Sequence, residues 1–290
     1  MSQPPEYPPG YGAPPPAYPP PGDHRLRLGE ALRWAWRKFA KNALAMIVPA
    51  FLYWLLLHVT QGLLDQKLGV LTAFNDTDDD TGASFNFGFA KNLSGGQLTL
   101  LLLLGYLIMY AVWAFAICAF LSGCLDIADG RPVTIGSFFK PRNLDVALPT
   151  ALLAGFLLTV ATLLFIVPGL ILDIPVPGLI LAVIAGLILG ILLQFAVPFA
   201  IDRSQSAVDA TKSSFSLTSS RFTESLLVWL AAGFILFLGE LACGVGSAVA
   251  IPVASLVVIY AYRRLSGGHV APLEQPGYQP APPPPMPPGL

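Results

Sequence analysis

The 290-residue chain is 54% hydrophobic and only 11% charged, with a mean hydropathy of +0.66, values that exclude a soluble globular domain and point to a body held in lipid. A formal net charge of −1 argues against a nucleic-acid partner. The three cysteines, Cys118, Cys124 and Cys243, lack the CxxC or Cys/His spacing of a zinc or redox site and read as packing residues.

Ten of the 28 prolines fall in residues 1–22 and nine in residues 271–290. Segments of that composition bury too little apolar surface to offset their ordering entropy, so disordered Pro-rich tails are expected over 1–22 and 266–290. They read either as solvated spacers or as PxxP-type docking sites for protein partners. Next comes an amphipathic helix within 23–42. Leu28, Leu32, Ala35, Trp36 and Phe39 recur at helical spacing, and Arg33, Arg37 and Lys41 share the opposite face. Two readings are open for it: an interfacial helix whose cations meet anionic lipid headgroups, or a helix packed under the bundle with solvated charges.

The membrane body is expected over 43–265. A bilayer core of about 30 Å takes roughly 20 helical residues, and windows of that kind occur near 43–64, 97–121, 226–241 and 244–262. The apolar stretch 146–201 is far too long for one crossing. It divides into 146–168 and 178–201 at Pro168-Gly169 and Pro175-Val176-Pro177-Gly178, where proline removes backbone donors and glycine tolerates turns. Asp173 then belongs to that turn, although a carboxylate in such a run is otherwise a functional-site candidate. Fourteen of the sixteen Lys and Arg residues fall on one side of this six-span scheme. Only Lys67 and Lys91 fall on the other, in the loop holding the glycosylation-type matches at Asn75 and Asn92. Cytoplasmic loops carry the excess of basic residues, so both termini are expected in the cytoplasm. No signal peptide precedes the first span, which is expected to act as an uncleaved anchor.

Similar segments precede the three outward-going spans: WRKFAKNALAMIVPAFLYWLLL at 36–57, SFFKPRNLDVALPTALLAGFLL at 137–158 and SSRFTESLLVWLAAGFILFL at 219–238. The expected fold is an all-α membrane protein of three transmembrane hairpins, each entered through an amphipathic interfacial segment on the cytoplasmic side. Within the fourth span Gly178, Ala182, Gly186 and Gly190 make a small-residue stripe that lets a neighbouring backbone approach. Gln194 continues the stripe and either bonds across a helix interface or lines a polar path.

Chemistry is thinly represented. No HExxH, GxSxG, phosphate-loop or cofactor motif is present, and no intramembrane carboxylates are paired. His58, Glu240 and Asp173 would all lie toward the outer side, and an intramembrane enzyme would need them to converge. The remaining inventory favours a non-enzymatic structural, scaffolding or lipid-interacting protein. A transporter or channel for an apolar or amphipathic solute is the alternative, with Gln194 and Glu240 at its polar interface. Nothing in the sequence sets an oligomeric state.

Two longer stretches, FAVPFAIDRSQSAVDATKSSFSLTSSRF at 195–222 and CGVGSAVAIPVASLVVIYAYRRLSG at 243–267, carry a resemblance. With Asp129-Gly130-Arg131-Pro132 and Trp36-Arg37-Lys38-Phe39, they resemble uncharacterised proline- and glycine-rich integral membrane proteins of actinobacteria. The carrying residues are Pro198, Asp202, Ala210, Ser214, Phe215, Cys243, Gly244, Gly246, Pro252, Tyr262 and Arg263. Those proteins look related to the membrane domain attached to some glycerophosphodiester phosphodiesterases. No phosphodiesterase catalytic domain is present in this chain. The resemblance implies a bacterial plasma membrane and no substrate.

Overall fold

A computed structural model describes residues 26–73, 95–242 and 246–273. The N-terminal tail, residues 274–290 of the C-terminal tail, the Asn75 and Asn92 matches and Cys243 lie outside the described residues. Helices run over Leu28–Lys41 (α1), Ala43–Ala73 (α2), Gly95–Ala128 (α3), Leu144–Ile171 (α4), Pro175–Leu193 (α5), Ala196–Arg203 (α6), Ala207–Ser220 (α7), Phe222–Leu241 (α8) and Ser247–Leu265 (α9). A 3-10 turn spans Ile135–Phe139, and no strand occurs among the described residues. Six stretches are long and apolar enough to cross a bilayer: Ala43–Gly62, Leu100–Ala128, Leu144–Ile171, Pro175–Arg203, Phe222–Leu241 and Ser247–Leu265. The chain is a multi-pass, all-helical membrane protein.

Several boundaries move. The second span continues past Leu121 to Ala128, and α4 runs straight through Pro168 to Ile171. A transmembrane helix tolerates proline because neighbouring groups satisfy the freed carbonyl. The chain turns instead at Leu172–Ile174. Asp173 there has φ 55°, Asp173 N donates to Leu170 O at 3.3 Å, and Ile174 N donates to Gly169 O at 2.8 Å. This is a Schellman end, and aspartate is among the few non-glycine residues that enter left-handed backbone readily.

The fourth span is also divided. α5 stops at Leu193, the chain turns through Gln194 and Phe195, and α6 resumes with six consecutive buried residues, Ala196 to Ile201. The backbone groups freed by the break are met from α7: Ser214 Oγ donates to Leu192 O at 2.6 Å and accepts from Phe195 N at 3.2 Å. Ser214 and Thr218 are accordingly buried polar residues.

Packing centres on α9. Of its apolar window, 72% is buried, against 17–22% for the other five spans, yet its mean hydropathy is the lowest, 1.5 against as much as 2.8 for Pro175–Arg203. Lipid tails are as apolar as leucine, so the periphery carries the Leu and Ile excess, while the helix that touches protein is built from small residues that allow close approach. α1, α2, α3 and α8 all pack on α9, and α4 packs along α5. The three expected entry segments differ: α1 and α7 are 14-residue helices, whereas the middle one is only the five-residue 3-10 turn.

Candidate functional site

A cluster of charged residues stands where the ends of α3, α6 and α9 meet the start of α4. α3 finishes in a Schellman turn, with Gly130 at φ 77°, Gly130 N bonded to Ile127 O and Arg131 N bonded to Asp126 O at 2.9 Å. α9 finishes the same way, with Gly267 at φ 75° and Gly268 N bonded to Arg263 O at 2.6 Å. These turns bring Asp126 and Asp129 of α3 beside Arg263 of α9. Asn143, itself left-handed at φ 48°, opens α4 and donates to Ile201 O at 2.7 Å, which sets Arg142 and Asp202 against the same point.

Arg263 Nη2 binds Asp129 Oδ1 and lies 2.9 Å from Asp202 Oδ1, with only 12% of its side chain exposed. Tyr262 donates its hydroxyl to Asp202 Oδ2 at 2.9 Å. Arg142 Nη1 reaches Asp129 Oδ2 at 3.1 Å and Asp126 Oδ1 at 3.3 Å, and Arg131 reaches Asp126 at 3.3 Å. Three carboxylates are thus matched by three guanidinium groups tying α3, α4, α6 and α9 together. Each carboxylate accepts charge-assisted bonds. The arrangement is a fastening.

Beyond α9 the chain folds back. Residues 266–273, expected within a tail, run over the body instead. Ala271 N donates to Ala128 O at 2.7 Å, and Ala271 O accepts from the buried Trp34 Nε1 at 2.9 Å, so this strap joins α1 to α3. Arg203 Nη2 donates to Ser266 O at 2.9 Å and stacks over Phe199 at 5.0 Å.

α1 meets the bundle through Ala31, Trp34, Ala35 and Phe39. Ala35 and Phe39 are buried, whereas Leu32 and Trp36, expected with them on the apolar face, are 36% and 57% exposed. At 100° per residue they occupy the edge between the packed face and the cationic one. Arg33, Arg37 and Lys41 are exposed.

Uncharacterised proteins of Mycobacterium bovis and of two strains of Mycobacterium tuberculosis are each 38% identical to this chain over 288 residues, covering 96% of it and 79% of theirs. The chain belongs to their family. No family model and no solved structure matches it. The names of these relatives state no activity.

In this family member the trio His58, Glu240 and Asp173, expected toward the outer side, does not join. His58 Nδ1 lies 2.9 Å from Trp54 O, with its ring 4.4 Å from that of Trp54. Glu240 accepts from Ser247 Oγ at 2.6 Å across the α8–α9 turn, and Asp173 is exposed in its own turn. No hydrogen bond or ion pair links any two of the three, and no metal-binding group of His, Cys, Asp and Glu occurs among the described residues. Gln194 Nε2 donates to Ile191 O at 3.1 Å and across to Ser225 O of α8 at 3.0 Å.

The small-residue stripe serves two neighbours. Gly178 lies against Gly169 of α4, where a Cβ would meet the Gly169 Cα at 2.9 Å, and Gly190 faces the Trp229 ring of α8. Ala182 is buried, and a Cβ on Gly186 would meet nothing within 4 Å. The ionic fastening was not foreseen from the sequence although five of its members, Asp129, Arg131, Asp202, Tyr262 and Arg263, carry the family resemblance. The available signal was acidic residues placed at span ends beside basic ones.

Proposed function

We propose that this chain is a non-enzymatic protein of the bacterial plasma membrane, with three hairpins and both termini in the cytoplasm, which engages anionic lipid headgroups through α1. The observation that carries this reading is the three-way division of α1. One face packs on α9, Leu32 and Trp36 present exposed apolar surface beside it, and Arg33 and Arg37 follow. No ion pair to Arg33 or Arg37 occurs among the described residues. A helix of this kind lies at the membrane surface, apolar edge down and cations among headgroups. Each cation near the surface contributes about 1 kcal/mol toward anionic lipid. The test is native mass spectrometry of the full chain released from mixed phosphatidylglycerol and phosphatidylcholine nanodiscs. Replacing Arg33, Arg37 and Lys41 by alanine is expected to lower the preference for phosphatidylglycerol at least tenfold. An unchanged lipid ratio contradicts the reading.

A carrier of an apolar solute is the second reading, supported by a cavity of about 320 Å³ between α2, α3 and α9. Tyr53, Trp54, Trp113, Phe120 and Ser255 line it, and the buried indole N–H of Trp54 has no acceptor among the described residues. An unmet donor in an apolar pocket suits a ligand bringing one carbonyl. Filling the cavity with Ala116→Phe should then reduce flux of an apolar dye across proteoliposomes without changing insertion. Unaltered flux removes this reading.

A further inference from the structure

Beside the fastening but separate from it lies a hollow of about 560 Å³ between α1, the end of α9 and the strap 266–273. Its chemistry-bearing lining is Glu30 and Arg33 of α1, Tyr260 and Arg264 of α9, and His269 of the strap, with Trp34 at its base. We infer that this hollow is a phosphate-binding site and that its occupant is the phosphate of an anionic membrane lipid.

Three nitrogen-bearing side chains come from three separate segments, and contacts within the walls of the hollow hold those segments together. The Schellman turn at Gly267 reverses the chain after α9, and the two bonds of Ala271 clamp the strap so that His269 stands across from Arg33. Trp34 packs on Tyr260 with ring centroids 5.3 Å apart, which fixes α1 over α9 at this point. Arg33, Arg264 and His269 line the hollow, are exposed, and make no hydrogen bond or ion pair among the described residues, so their donors are unspent. The one carboxylate, Glu30, has Arg27 at 3.5 Å and is countered outside the site. Two guanidinium groups are suited to phosphate because a planar fork matches two phosphate oxygens at once. Exposed Leu32 and Trp36, on the same helix as Arg33, supply apolar surface for the acyl chains, which a free phosphate ion would not use.

The inference rests on the lipid-engaging reading of α1, and the experiment separates the two. The full chain is released from vesicles of phosphatidic acid and phosphatidylcholine, and retained phosphatidic acid is counted by native mass spectrometry. Arg264→Ala is expected to reduce retention about tenfold, the scale of one charge-assisted bond. His269→Ala should reduce it less, and Arg264→Lys should fall between wild type and Arg264→Ala, because it keeps the charge without the fork. Arg264 and His269 are exposed, so unchanged circular dichroism and gel-filtration profiles are expected for all three variants. If Arg264→Ala and His269→Ala retain lipid as wild type does while Arg33→Ala/Arg37→Ala does not, the hollow is not the site, and α1 alone binds lipid. If none of the variants changes retention, both readings fall. If inorganic phosphate displaces phosphatidic acid at equal concentration, the occupant is a soluble phosphate and the lipid assignment is overturned.

Discussion

Arg263 is nearly enclosed and faces two carboxylates, Asp129 and Asp202, which without it would face each other in a poorly hydrated space. Removing one partner of a fully buried ionic set costs about 3–5 kcal/mol. Here the set is partly exposed, Asp129 keeps Arg142 and Asp202 keeps the Tyr262 hydroxyl, so the cost falls to about 1–3 kcal/mol. Arg263→Ala is therefore expected to lose about that much stability in a thermal-unfolding assay in mild detergent. Arg263→Lys should lose less, since an ammonium keeps the charge but lacks the fork that reaches both acids. Asp173 was legible as a turn residue from the prolines around it, but the reason an aspartate stands there is its φ of 55°, which no periodicity reveals. Asp173→Gly should be neutral or slightly stabilising, and Asp173→Val should cost about 1–3 kcal/mol, because a β-branched side chain is strained in left-handed backbone. A loss of stability in Asp173→Gly would show that the carboxylate itself matters.

Among the elements, α5 shows how far a sequence pattern reaches. The stripe Gly178, Ala182, Gly186 and Gly190 announces close helix approach, yet a stripe carries no address. Its ends meet different partners, Gly169 of α4 and Trp229 of α8. Gly178→Ala should therefore cost about 1–3 kcal/mol by forcing the two backbones apart. Gly186→Ala, with open space at its Cβ, should be neutral or gain up to about 1 kcal/mol from helix propensity. The same thermal assay separates the two, and equal destabilisation would mean that the stripe packs as one surface. The break at Gln194–Phe195 was not legible. Hydropathy runs unbroken through it, and the hydroxyls that satisfy the freed backbone stand about twenty residues away in α7.

For the whole molecule, the six spans were readable because length and hydropathy are local quantities. The centre of the fold was not. α9 is the least hydropathic span because it faces protein, and a hydropathy scale ranks it last. The ionic fastening was hidden for a related reason, since Arg263 and Asp129 are 134 residues apart and only the assembled bundle sets them together. Beside that fastening lies α1, with cations and exposed apolar residues on adjoining faces. On the proposed function this helix lies at the membrane surface. Spin labels at Trp36→Cys and Arg37→Cys, in an otherwise cysteine-free chain reconstituted in anionic vesicles, measure it directly through collisions with oxygen and with a water-soluble nickel chelate. The label at 36 is expected to favour oxygen, at the edge of the hydrocarbon, while the label at 37 favours the chelate; equal, high chelate exposure at both positions would mean that α1 does not lie at the surface.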